Sequence, residues 1–250
     1  MGESQDQAWA SLQVHEPGQG AAEQLFVLLH DGGAEPAQQL QGLAAAVRQA
    51  FPQSVVAMPR GSSAADAALP QWFEQQGLSM DNYVQRVAQA LPALVGLVQQ
   101  LQRKYDLDGE HTALAGFGHG ATLALEACSA HPELAGRVVA FGGVYASLPM
   151  LAPPATTLHL LHGADDPLVP LSFMRETHEH LAQLQGDATL DIASRVGHEL
   201  HNALIRQAIY RLQTCIPLRN WKAALGDLRG GSEGQAALQA LARPPDDKLH

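Results

Sequence analysis

The stretch "LAGFGHGAT", Leu114–Thr122, decides how this chain is read. It joins a buried apolar run, "HTALAGF" (111–117), to an apolar helical pattern, "ATLALEAC" (121–128). The joint is a tight turn with glycine at 116, 118 and 120. A strand that turns this sharply into a helix lifts one residue above the end of the sheet, next to backbone N–H groups that have no partner within the helix. The residue at that tip is Gly118, which has no side chain to offer.

Outward from this turn, short apolar runs alternate with amphipathic helical patterns. Residues 25–30, 54–58, 112–117, 137–143, 156–162 and 188–194 are Leu-rich or β-branched and read as strands. "NYVQRVAQALPALVGLVQQLQRKY" (82–105) sets Val84, Val87, Leu91, Leu94, Leu97, Val98 and Leu101 at helical spacing, with Pro92 expected to kink or divide it. "ELHNALIRQAIYRL" (199–212) sets Leu200, Leu204, Ile205, Ile209 and Leu212 on one helix face. Continuous apolar strands alternating with helices predict an α/β fold, a mainly parallel sheet with helices on both faces. "SLQVHEPGQGAAEQLFVLLH" (11–30) reads as a strand, turn, strand entry, so the first strand is a candidate for antiparallel pairing.

Composition narrows the class. The 250 residues suffice for one large core, and the domain is expected over 8–218. From 229 to 250 Gly, Pro and charge dominate, which predicts a flexible tail. A net charge of −10 argues against nucleic acid and anionic membrane surfaces as partners. The N-terminus shows no targeting pattern and no run is apolar enough for a membrane span, so a cytoplasmic protein is expected. Two cysteines make no disulfide framework, and Cys128 reads as a reduced core residue.

Ligands of parallel sheets bind at the carboxyl ends of the strands. Those ends carry "HDGG" (30–33), "GHG" (118–120), "GADDPLVP" (163–170) and "RVGHEL" (195–200). A turn, then an acid, then a histidine is the chain order of α/β hydrolases, in which the strand–turn–helix is the nucleophile elbow, Gly-x-Ser-x-Gly. The chain resembles the bacterial carboxylesterase/phospholipase family of α/β hydrolases, related to acyl-protein thioesterases. The resemblance rests on "LLHDGG" against His-Gly-x-Gly, "QWFEQQG" against a Trp-Phe element and "AGFGHGATLALE" against Gly-Phe-Ser-Gln-Gly. "LLHGADDPLVP" and "VGHEL" complete it, and the whole spans about residues 10–218.

The resemblance implies hydrolysis of small acyl esters or thioesters without a cofactor. It makes Asp166, which precedes Pro167, the triad acid in preference to Asp165, and His198 the general base. It makes the N–H groups of Gly32 and His119 the oxyanion donors. Trp72 and Phe73 would border the substrate, and His30 would hydrogen-bond loop backbone. Imidazole takes a hydroxyl proton near neutral pH, the acid orients it, and two N–H groups stabilise the developing oxyanion.

Two departures fall at the reacting centre. Gly118 stands where the nucleophilic serine belongs, so an acyl-enzyme through this position is impossible. Glycine also tolerates the strained elbow backbone at little cost, so the exchange relieves strain while removing the nucleophile. Asp31 stands where the motif has its first glycine, beside a predicted oxyanion donor. A carboxylate about 5 Å from an oxyanion would cost roughly 3 kcal/mol at an effective dielectric near 20, about a hundredfold in rate. Asp31 could equally point to solvent or protonate. The expectation is an esterase by lineage with weak or lost activity. The alternatives are a non-catalytic ligand- or partner-binding protein, and a water- or metal-assisted hydrolase using Asp31, His119 and His198. No dedicated metal site is expected, and a displaced nucleophile at Ser62 or Ser63 is disfavoured because a loop serine lacks the helix N-terminus and the base.

Overall fold

The computed structural model describes residues 12–61, 69–217 and 220. Ser62, Ser63 and the segment 229–250 lie outside the described residues. The unit up to Thr214 holds seven strands and six helices among the described residues. The strands are β1 (Gln13–His15), β2 (Gln24–Leu29), β3 (Ser54–Met58), β4 (Thr112–Phe117), β5 (Arg137–Phe141), β6 (Thr157–Gly163) and β7 (Ala188–Ala193). They form one sheet in the order β1-β3-β2-β4-β5-β6-β7. Every pair is parallel except β1 with β3. The antiparallel entry strand expected from the sequence is therefore present, but it pairs with β3 and not with the strand that follows it.

Side chains alternate across a strand, so each buried strand feeds two cores. Leu25, Val27 and Leu29 of β2 face one layer, with α3 (Met80–Tyr105), α4 (His119–Ala130) and α5 (Leu171–Gln183). Phe26 and Leu28 face the other, with Leu40, which follows the short α1 (Pro36–Gln39), and with α2 (Gln41–Ala50) and α6 (Asn202–Thr214). Burial on both faces is why these strands read as continuous apolar runs. Cys128 is fully buried in the first layer, where burial pushes its thiol up to about 12.

Two details of α3 differ from the sequence expectation. The helix is not divided at Pro92 but runs from Met80 to Tyr105. Pro92 and Ala88, whose carbonyl loses its helical partner, are both exposed, so water can take the bond. Val84 does not belong to the inner face, being 47% exposed. The strand expected over 137–143 stops at Phe141, because Gly142 turns the chain with φ 56°.

Candidate active site

β2 and β4 are neighbours, with Leu29 opposite Gly116. The loops that leave their carboxyl ends must therefore meet. At the turn after β4, Gly118 has φ 54° and ψ −117°, a conformation open to glycine and costly to other residues. Its N–H donates to the Phe141 carbonyl at 3.0 Å, and α4 begins at the next residue. Gly120 lets that helix lie against β2: a Cβ there would stand 2.3 Å from the Leu29 carbonyl oxygen.

The acid and the histidine come from the loops after β6 and β7. Asp166 accepts hydrogen bonds from the N–H groups of Leu168 and Val169 through Oδ1, at 2.8 and 2.9 Å. Its Oδ2 accepts from His198 Nδ1 at 2.7 Å, and its side chain is 1% exposed. The His198 ring packs on Phe117, with centroids 4.6 Å apart. Asp166, the acid chosen over Asp165 from the sequence, is the one paired with His198.

The two departures are in direct contact. The N–H groups of Gly32 and His119 converge as expected, but on the Asp31 carboxylate: each donates to Asp31 Oδ1 at 2.8 Å. The sequence predicts for Asp31 a charge near an oxyanion, a group turned to solvent or a protonated acid. Its oxygen instead sits between the two donors, so a substrate oxygen finds them taken. Asp31 Oδ2 lies 3.4 Å from His198 Nε2. A Cβ built on Gly118 would stand 2.3 Å from Asp31 Oδ1 and 2.4 Å from Cγ. The Asp31 carboxylate therefore fills space that a serine side chain would need. The backbone N–H of Asp31 donates to Gln39 Oε1 at 2.7 Å, tying the loop to α1.

Charge follows from this packing. Burial opposes ionisation of Asp31, but hydrogen bonds from His198, His119 and Gly32 outweigh it and hold its carboxyl below the usual range. Burial likewise disfavours the charged His198 ring, yet the bonds to Asp31 and Asp166 prevail and its pKa is raised. The ring of His119 is lowered, first by burial and further by His198, against the pull of Asp31.

A raised histidine pKa favours the folded state while the ring is charged in both states. The His198 contribution is thus full below its ordinary value of 6.5 and fades as pH rises through the raised folded value. Asp31→Gly removes one of the two carboxylates. We expect it to lower the His198 pKa in an NMR ring titration and to shrink the loss of stability above pH 6.5. An unchanged titration would mean that Asp31 carries no charge against the ring.

The remaining expected residues fall as follows. His30 donates from Nδ1 to the Asp31 carbonyl at 2.6 Å and accepts at Nε2 from the Gly61 N–H at 3.0 Å, so it organises loop backbone. Trp72 is buried, stacks on His30 at 4.6 Å and donates its indole N–H to the His30 carbonyl at 2.7 Å. It thereby holds His30, the residue before Asp31. Phe73 is buried with its ring edge-on to His119 at 5.0 Å. Gln75, which the sequence reading passed over inside "QWFEQQG", reaches His119 Nδ1 at 3.3 Å. Its position two residues after Phe73 was the one available signal. Among the described residues, no group of three His, Cys, Asp or Glu side chains is placed to hold a metal.

A seven-stranded, mostly parallel sheet flanked by helices, with a strand–turn–helix, an acid and a histidine at its carboxyl ends, defines an α/β hydrolase. The phospholipase/carboxylesterase family matches residues 10–216, and the chain belongs to it. Esterase YpfH of Escherichia coli K12 is 36% identical over 214 residues, covering 85% of this chain and 90% of the relative. The crystal structure of esterase PE8 superposes with a TM-score of 0.74 at 24% identity, over 82% of this chain and 99% of the other. The Bacillus cereus carboxylesterase superposes with a TM-score of 0.69 at 17% identity, over 82% and 94%. The lineage is that of ester hydrolases.

Proposed function

We propose that this chain derives from a hydrolase of small acyl esters or thioesters and has lost, or all but lost, that activity. The observation that carries the reading is Asp31 Oδ1 at 2.8 Å from both the Gly32 and the His119 N–H groups. Acyl transfer needs those donors for the carbonyl oxygen, and it needs a hydroxyl where Gly118 stands. His198 and Asp166 keep the 2.7 Å bond by which an acid orients a general base. The base has no serine to deprotonate, and its other nitrogen faces a carboxylate. Direct attack by water on an ester meets the same obstacle, because its tetrahedral intermediate also needs the occupied donors.

The test is hydrolysis of p-nitrophenyl acetate at neutral pH by the protein and by its His198→Ala variant. We expect equal, near-background rates. Turnover that falls at least about a hundredfold in the variant, the usual contribution of a general base, would overturn the reading.

A further inference from the structure

We propose that Asp31 is a relocated nucleophile, and that the site hydrolyses small molecules carrying a good leaving group on a saturated carbon, such as primary alkyl halides. The inference rests on the reading that Asp31 holds the oxyanion donors, and it assigns that arrangement a use.

The donors decide which electrophile fits. Attack of Asp31 on an acyl carbon would put an oxyanion on the substrate, and the two N–H groups that could stabilise it are already bound to Oδ1. Attack on a saturated carbon creates no oxyanion. Asp31 Oδ2 forms a C–O bond as the carbon–halogen bond breaks, and halide leaves with the electron pair. The product is an alkyl ester of Asp31.

Hydrolysis of that ester is the step for which the site is built. Water attacks Asp31 Cγ and gives up a proton to His198 Nε2, which lies 3.4 Å from Oδ2. Negative charge then develops on Oδ1, held at 2.8 Å by both N–H groups. Preorganised donors act where charge appears in the transition state. Collapse breaks the Cγ–Oδ2 bond, so Oδ2 leaves with the alkyl group as an alkoxide that takes the proton back from His198, while the water oxygen stays on Cγ and the carboxylic acid so formed releases its proton. The carboxylate is restored, and the sum is alkyl halide plus water giving alcohol, halide and a proton. Asp166, bonded to Nδ1 at 2.7 Å, stabilises the imidazolium between these steps.

Several features support an attacking carboxylate over a mere plug. The Asp31 side chain is 20% exposed and His198 11%, so a small solute and a water can reach both. The backbone N–H of Asp31 is fixed by Gln39, so the loop does not have to reorganise. Gly118 leaves the space in which the carboxylate stands. A carboxylate with one oxygen anchored and the other facing a histidine has the parts required for an ester intermediate and its hydrolysis.

The experiment uses 1-bromobutane with the full-length protein. The protein is expected to release bromide and 1-butanol, and Asp31→Asn is expected to release neither. His198→Gln should slow butanol formation at least about a hundredfold and accumulate a butyl group, mapped to Asp31 by peptide mass spectrometry. In parallel, one turnover by the unaltered protein in heavy-oxygen water should place the label in the Asp31 carboxylate, which keeps the test independent of how well the variants fold. A butyl group on His119, His198 or a cysteine overturns the proposal, as does the absence of both adduct and label. If p-nitrophenyl acetate is turned over through His198, the reading of a lost ester hydrolase has itself failed. If neither ester nor bromide is turned over, only the relocated nucleophile has.

Discussion

Gly118→Ser alone is expected to restore little ester hydrolysis, whereas Gly118→Ser combined with Asp31→Gly should exceed the parent by at least about a thousandfold, as expected when a missing member of a catalytic triad is returned. The reason is steric before it is chemical. A Cβ at Gly118 meets Asp31 Oδ1 at 2.3 Å, so the new serine and the present carboxylate cannot keep their places together. In the single variant the carboxylate is pushed aside but stays tethered beside the oxyanion donors. At about 5 Å and an effective dielectric near 20 its repulsion costs roughly 3 kcal/mol, which holds the single variant about a hundredfold below the double. Asp31→Gly alone frees the donors and leaves nothing to attack. The double variant also relieves His198 of one of its two carboxylates, so the ring is neutral, and able to act as a base, at lower pH. Initial rates on p-nitrophenyl acetate for the four proteins, with His198→Ala added to the double variant as a control, test this. Equal rates for the single and double serine variants would show that Asp31 does not block the site.

Stability should show the same coupling. Gly118→Ala puts a side chain where φ is 54°, a strain of about 1–3 kcal/mol, and also displaces Asp31 from two N–H groups. Hydrogen bonds to a charged group are worth about 1.5–3 kcal/mol each, so with both lost the total should reach about 4–9 kcal/mol. In the Asp31→Gly background only the backbone strain remains. A double-mutant cycle from urea melts should therefore give a coupling of about 3–6 kcal/mol between positions 31 and 118, the worth of the two displaced hydrogen bonds. Additive effects would mean that the carboxylate yields freely and contributes no stability where it sits.

The two positions bear on how evolution can leave such a site. A carboxylate at 31 is incompatible with a side chain at 118, and a glycine at 118 leaves a cavity beside two unpartnered N–H groups. Each change makes room for, or is stabilised by, the other. The resulting pair leaves the His198–Asp166 hydrogen bond in place at 2.7 Å beside the Asp31 carboxylate.

Apolar patterning and strand-end motifs were enough to specify the sheet and the frame of the site. The apolar runs marked the strands, five of them buried on the inside of the sheet and 188–194 at its edge, and their order with the helices implied a parallel sheet. The glycine turn marked the elbow, and the order of strand ends marked Asp166 and His198. That position 118 carries no hydroxyl was a matter of reading one letter. What lay beyond the sequence was the direction of one side chain. Asp31 and His119 are 88 positions apart, and only the pairing of β2 with β4 brings their loops together. Even then a carboxylate beside two N–H groups has three outcomes: solvent, protonation or the donors themselves. The choice depends on the room left by Gly118, the two 2.8 Å bonds and the histidine at 3.4 Å. These are short-range terms that act between distant residues, and they exist only once the chain has folded. That is why the sequence could name both departures and only the tertiary structure could join them.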